Sequence, residues 1–251
     1  MKIFLVNLDH DIKRLDFMDK QLKNLWLVYE RFPAIKPSKL DSLDKYYNKD
    51  DSIKKHGKPL ANGEIWCALS HLFIYKKMLD EDIDKCLILE DDSILTNKLI
   101  NLIDKIEWNN YNYEYLTFSY TIFDFFGLKD FCRVVFYQSK NNFTQFIFGI
   151  FIKIPAAFWI AIIEWFIFKF SSLFNFFILK SYRNLYLTSG YVITKKWAKK
   201  ILKVTGGKAV YPSDIMQNIA KKQEKLLIYC TTPPLVLQNL SFDSNIEHER
   251  I

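Results

Sequence analysis

An α/β domain with a largely parallel sheet is expected from three features of this chain. Short apolar runs alternate with stretches of helical periodicity over the first hundred residues. Residues 86–89 (CLIL) are wholly apolar, as in a central strand covered on both faces, and that run leads straight into the acids Glu90, Asp91 and Asp92. The chain has 251 residues with 50% apolar content and only seven Gly and seven Pro, enough to bury one full core.

Residues 2–8 (KIFLVNL) read as an opening strand; the apolar run is too short, and too quickly followed by acids, for a signal or transit peptide. Ile12, Leu15, Met18, Leu22 and Leu25 recur at spacings of three and four, which predicts an amphipathic helix over 11–27. Residues 29–35 form a second extended segment, and 37–59 have no clear period and read as a flexible surface connection. Asn62 is a candidate cap for a helix through Ile65, Leu69, Leu72, Tyr75 and Leu79, with Glu64 in the first turn where the helix dipole favours an acid. The pattern loses definition after Trp108. Residues 185–193 then read as a buried strand, Thr194 as the cap of a Lys-rich helix ending at Gly206 and Gly207, and Asp214 as the opening of a further helix. Residues 225–238 close as a strand, a Pro turn and a short apolar stretch. With no repeat and no low-complexity linker, residues 1–251 are expected to form a single domain.

Charge and aromatic content narrow the partners. The net charge is +7, yet residues 180–225 hold eleven bases and two acids, a local +9, so the rest sums to −2. Such a stretch suits phosphates, anionic lipid or nucleic acid. Cys67, Cys86, Cys132 and Cys230 are widely spaced without a CxxC pair, which predicts free thiols in a reducing compartment. Eleven of the 22 Phe fall in 143–179, where 27 of 37 residues are apolar; Lys153, Glu164, Lys169 and Lys180 break the segment and disfavour a spanning helix. With Trp159 and Trp165, the segment resembles a surface lying in the headgroup layer of an anionic membrane; a buried helical insertion or a dimer face is the competing reading.

The acidic cluster is the sharpest chemical feature. Ligands of open α/β sheets bind at the carboxyl ends of strands, and three adjacent acids repel one another unless a divalent cation, itself able to accept diphosphate oxygens, offsets the cost. Strand alternation aims Glu90 and Asp92 one way and Asp91 the other. A solvated acidic turn is the plain alternative. A phosphorylation receiver domain, which also pairs acids after a strand, fits poorly because a strand, a helix, a loop and another helix come first.

Four blocks then carry a resemblance to glycosyltransferase family 25, the lipopolysaccharide, lipooligosaccharide and collagen-modifying group: VNLDHDIKRLDFM with Asn7, Leu8 and Arg14; LANGEIWCALSHLFIYKKML with Gly63, Glu64, Cys67, Ser70 and His71; LILEDDSIL; and LTSGYVITKKWAKKIL with Ser189 and Gly190, followed by Pro212 and Asp214. Trp66 departs from the small residue often found in the second block. The resemblance implies a GT-A-like nucleotide-sugar fold, a DxD-type metal motif at Asp91 and Asp92 holding Mn2+ or Mg2+, and inverting transfer of a hexose, commonly galactose from UDP-galactose, to a glycolipid acceptor. It also implies that Asn7, Arg14, Ser70, His71, Glu90, Ser189 and Gly190 border the donor.

Inversion needs one carboxylate as base, with Asp214 preferred over Glu64. Each residue also has a structural alternative: Glu64 a first-turn acid, Asp214 a cap, His71 a packing residue, Arg14 an exposed helix arginine. The expected setting is cytoplasmic, peripheral on the inner face of the cytoplasmic membrane, with no nucleic acid because no reader motif is present. A catalytically inactive, membrane-docked scaffold of the same fold is the alternative function.

Overall fold

The computed structural model describes residues 1–36, 40–108, 113–120, 176–181, 184, 186–225, 227–239 and 241–242. In chain order these form β1 (Lys2–Asn7), α1 (Ile12–Asn24), β2 (Glu30–Pro33), α2 (Lys49–His56), α3 (Asn62–Asp80), β3 (Lys85–Glu90), β4 (Ser93–Leu95), α4 (Lys98–Trp108), β5 (Tyr115–Thr117), β6 (Phe177–Lys180), β7 (Gly190–Thr194), α5 (Lys195–Thr205), α6 (Ser213–Gln223), β8 (Ile228–Thr232) and β9 (Val236–Gln238). One sheet has the order β2-β1-β3-β7-β5-β8-β6, and β4 pairs with β9 in a separate antiparallel ribbon. Strands β2, β1, β3, β5 and β8 run one way; β7 and the edge strand β6 run against them. The mostly parallel sheet expected from the sequence is present, with β7 as an antiparallel insertion at its centre.

Strand alternation explains why the sheet is covered twice. In β1, Phe4 and Val6 join a core with Leu69, Met78, Trp197 and Met216 of α3, α5 and α6, while Ile3 and Leu5 join a second core with Met18 and Leu22 of α1 and Leu99 and Leu102 of α4. Strand β3 does the same, sending Cys86 and Ile88 to one side and Leu87 and Leu89 to the other. The unbroken apolar run CLIL is therefore the signature of a strand between two helical layers. Strand β1 sits between β2, reached through α1 on one face of the sheet, and β3, reached through α3 on the other, and a crevice opens at the carboxyl ends of β1 and β3.

Several expectations are corrected. Residues 37–59 are not simply a flexible connection: a 3-10 turn at Leu43–Lys45 and α2 lie within them. The amphipathic signal is absent because only Ser52 of α2 is buried; the helix is set by its ends, where Asn48 accepts the Asp51 N–H and Gly57 takes a left-handed φ of 90°. Helix α3 begins at Asn62 rather than being capped by it, and Glu64 reaches back to the Ala61 N–H at 3.0 Å. The strand expected over 185–193 starts only at Gly190; residues 186–188 have no regular structure, Ser189 is a bend, and Leu187, Thr188 and Ser189 line the crevice. Of the helical insertion expected over 143–179, residues 177–180 are strand β6, paired with β8; residues 143–175 lie outside the described residues.

The basic excess is partly neutralised by distant acids. Lys196 and Lys200 of α5 meet the buried Glu114 at 2.5 and 3.0 Å, and Lys195 meets Asp82 and Asp84 at 2.6 and 3.0 Å. The local +9 counted along the chain overstates the positive face that solvent sees.

Gly190 is required by close approach. A Cβ there would lie 2.8–3.0 Å from the Val236 side chain, which is stiff at Cβ and fully buried. Gly190→Ala is expected to cost about 1–3 kcal/mol, read as a lower urea midpoint with unchanged slope, because β9 must move away from the sheet.

Candidate active site

The site forms where β1 and β3 end and the antiparallel β7 begins. Asn7, the last residue of β1, donates from Nδ2 to Asp91 Oδ2 at 2.7 Å and to the Asp11 carbonyl at 3.1 Å. Its own Oδ1 accepts from Arg31 Nε of β2 at 2.9 Å, which fixes the amide orientation. Arg14, in the first turn of α1, donates to Asp91 Oδ1 at 3.2 Å. Both carboxylate oxygens of Asp91 thus accept a hydrogen bond, each keeping a second lone pair. Burial pushes the Asp91 carboxyl up, against the opposing pull of Asn7 and Arg14.

Asp92 is held differently. Its backbone carbonyl accepts from the Asn239 N–H at 2.7 Å, and its Oδ2 accepts from Gln238 Nε2 at 3.1 Å. Its Oδ1 is buried and has no hydrogen-bond partner among the described residues. Burial, then repulsion from Glu90 and Asp91, raises the carboxyl to about 6, with Gln238 and Arg14 opposing. An orphaned buried carboxylate oxygen beside two further acids fits a cation site.

Glu90 faces the α3 side, as strand alternation requires. Its Oε1 accepts from Thr188 Oγ1 at 2.6 Å, lies 3.0 Å from His71 Nε2 and 3.7 Å from Cys67 Sγ. Burial opposes ionisation, but His71, Thr188 and Cys67 together outweigh it and hold the carboxyl below its ordinary value. His71 Nδ1 lies 2.5 Å from the Tyr191 hydroxyl, which in turn is 2.7 Å from the Tyr75 hydroxyl. His71 is fully buried, so the packing alternative and the site reading meet in one residue.

Two clefts open here. The first is lined by Asn7, Arg14, Trp66, Ser70, Asp91 and Asp92, the second by Glu64, Thr188, Ser189, Pro212, Ser213 and Asp214; Cys67, Glu90 and Gln238 border both. The remaining sequence candidates sort by what they touch. Ser70 accepts the Ile35 N–H at 2.8 Å and donates to the Trp66 carbonyl at 2.7 Å, tying α3 to the chain after β2. The Ser189 carbonyl accepts from the Glu90 N–H and Ser93 Oγ, and Gly190 is bonded into the sheet through Phe118 and Ser119. Glu64 is 6% exposed; one oxygen caps α3 and the other is 3.6 Å from Lys58. Asp214 sits in the first turn of α6, at the wall of the second cleft.

Sequence reasoning placed Cys67 in a family block without giving it a role at the site, and it missed Thr188, Ser213, Gln238 and Arg31. Cys67 and His71 share a helix face by their spacing of four, a signal that was available. Gln238 was not foreseeable, since it reaches Asp92 only through the long-range β4–β9 pairing.

Comparison with known proteins agrees with this geometry. A family model described as glycosyltransferase family 25 (LPS biosynthesis protein) matches residues 1–217. Human procollagen galactosyltransferase 2 is 29% identical over 125 residues, 45% of this chain and 20% of that protein. The lipooligosaccharide biosynthesis protein lic2B of Haemophilus influenzae is 29% identical over 105 residues, 42% of this chain and 38% of that protein. A glycosyltransferase 25 family member of Aedes aegypti is 34% identical over 98 residues, 36% of this chain and 16% of that protein. The matched stretches therefore cover well under half of these relatives, whereas the family match spans most of this chain together with the strand ends that build its site, and the chain belongs to glycosyltransferase family 25.

Proposed function

We propose that the chain is an inverting, metal-dependent hexosyltransferase that moves galactose from UDP-galactose to a lipooligosaccharide or lipopolysaccharide acceptor. The observation that carries this reading is the buried oxygen of Asp92, without a hydrogen-bond partner among the described residues, beside Glu90 and Asp91 at the strand ends of a glycosyltransferase family 25 chain. The names of the relatives, a procollagen galactosyltransferase and a lipooligosaccharide biosynthesis protein, support galactose and a glycolipid.

In this reading the first cleft takes the donor. Asp92 would hold Mn2+ or Mg2+, with Asp91 behind it steadied by Asn7 and Arg14. When bound, such a cation supplies Lewis-acid stabilisation of the negative charge on the departing diphosphate. Arg14 adds fixed positive charge to the same wall. The second cleft takes the acceptor. There Asp214 receives the proton of the attacking hydroxyl, and a single displacement inverts the anomeric centre. Glu64 is the weaker candidate for base because its oxygens already serve the α3 cap and Lys58.

The enzyme is read as peripheral on the inner face of the cytoplasmic membrane, on the strength of the aromatic segment in the sequence. Among the described residues no helix is long and apolar enough to cross a membrane.

The test is release of UDP and transfer of label from UDP-galactose with Mn2+, with GDP- and CMP-sugars as controls. Asp214→Asn is expected to lower transfer by about 10²–10⁴ while leaving donor binding intact, and Glu64→Gln to leave transfer within several-fold of the parent. Absence of turnover with every donor would favour the scaffold reading instead.

A further inference from the structure

The geometry points to a second cation site, a zinc site formed by Cys67 Sγ, His71 Nε2 and Glu90 Oε1 with its fourth position open to the crevice. This assignment stands whether or not the chain transfers a sugar, and it uses none of the oxygens of Asp91 or Asp92.

Three independent features support it. The first is spacing: Cys67 and His71 are four residues apart on α3, so both side chains leave one helix face toward the end of β3. The second is distance. A zinc ion with bonds of ~2.0 Å to nitrogen and oxygen and ~2.3 Å to sulfur separates N from O by about 3.3 Å and S from O by about 3.5 Å in a tetrahedron. Here His71 Nε2 and Glu90 Oε1 are 3.0 Å apart, Cys67 Sγ and Glu90 Oε1 are 3.7 Å apart, and all three ligand atoms fall within 4.8 Å of one another. The set closes on an ion with shifts of a few tenths of an ångström.

The third is support around the ligands. Tyr191 holds His71 Nδ1 at 2.5 Å and is itself held by Tyr75, which fixes the ring plane and lets Nδ1 carry the proton while Nε2 presents its lone pair. Thr188 steadies Glu90 and Ser213 lies 3.0 Å from Cys67 Sγ. These are the outer contacts that zinc ligands use to keep their orientation. Sulfur, imidazole and carboxylate together select zinc over magnesium or manganese, which take oxygen-rich sets.

Binding is a proton-coupled substitution. The Cys67 thiol gives its proton to solvent as the S–Zn bond forms, the proton shared between His71 Nε2 and Glu90 Oε1 passes to solvent or to Nδ1 so that both atoms bind the ion while the imidazole keeps its Nδ1 proton, and no electron is transferred. Both clefts border Cys67 and Glu90, so a water or an acceptor hydroxyl on the open position would sit between donor and acceptor spaces.

The experiment is Co2+ titration of the chelator-treated, desalted full chain. One Co2+ per chain with a thiolate charge-transfer band and tetrahedral visible bands is expected, and Zn2+ should displace it. The band should vanish in Cys67→Ser and persist in Asp92→Asn, which separates this site from the donor cation. Glu90→Gln should keep the band and weaken binding by about tenfold or more. In the unaltered chain, Zn2+ should protect Cys67 from alkylation, read by peptide mapping, so the outcome does not hang on any variant folding. A folded chain with no thiolate band, a band that survives Cys67→Ser, or alkylation of Cys67 that Zn2+ does not slow overturns the assignment.

Discussion

Asp92→Asn is expected to abolish donor turnover and, in chelator, to raise the melting temperature of the protein at pH 8. The two effects share one cause. The carboxyl of Asp92 stands at about 6 in the folded chain because burial and the charges of Glu90 and Asp91 disfavour its ionised form. The unfolded chain leaves an aspartate near its ordinary value, about 3.9. For an acid whose folded value is raised, the penalty is absent below the unfolded value, grows as pH rises between the two, and is complete above about 6. Ionised Asp92 therefore costs the metal-free fold about 1–3 kcal/mol at pH 8.

An amide removes that charge, keeps the shape, and can still accept the Gln238 hydrogen bond. Stability gained in this way is function lost, because the same repulsion favours a divalent cation. Thermal unfolding in chelator should show the variant ahead at pH 8 and level with the parent near pH 4. Added Mn2+ should raise the parent's midpoint but not the variant's. A variant less stable than the parent at pH 8 in chelator would show that Asp92 is satisfied without an ion.

Legibility in the sequence followed the range of the interactions involved. Residues 86–89 announced a two-faced strand because every position must be apolar when helices cover both sides, and both cores do draw on that run. Glu90 turning toward α3 while Asp91 turns toward α1 was readable from strand alternation. Helix α2 was not, since end contacts at Asn48 and Gly57 rather than a buried stripe define it. Nor was the antiparallel course of β7, which depends on where the chain returns after 120 rather than on local pattern.

The site shows the same division. Strand ends marked Asn7 and the acids, whereas Gln238, Arg31 and Thr188 join them through pairings more than twenty residues apart. Ser70 and Gly190 were singled out as donor contacts and prove to be tied into the scaffold, one bridging α3 to the chain after β2, the other making room for Val236.

His71→Ala should be the most destabilising single substitution at the site, and its cost should depend on pH. In the parent, Glu90 is depressed below its ordinary value although burial pulls the other way, because His71, Thr188 and Cys67 all hydrogen-bond its carboxylate and His71 adds the main attraction. An acid with a depressed folded value contributes stability that is present above the unfolded value, about 4.3, and is lost as pH falls through the folded one. Removing His71 leaves burial unopposed by its strongest partner. Glu90 then becomes an acid that resists ionisation, and the sign of its contribution at neutral pH reverses.

The expected loss at pH 7.5 in chelator is about 3 kcal/mol, the lower end of what breaking a buried pair costs, because 22% of the Glu90 side chain remains exposed. The difference from the parent in urea midpoint should be widest above pH 7 and should shrink as pH falls toward 4, where Glu90 takes up its proton in the variant. His71→Gln, which keeps a donor within reach of Glu90, should recover part of the loss and flatten the pH dependence. A deficit that is the same at pH 4 and pH 8 would assign the whole cost to the vacated space between Tyr75 and Tyr191, and Glu90 would then owe nothing to the imidazole.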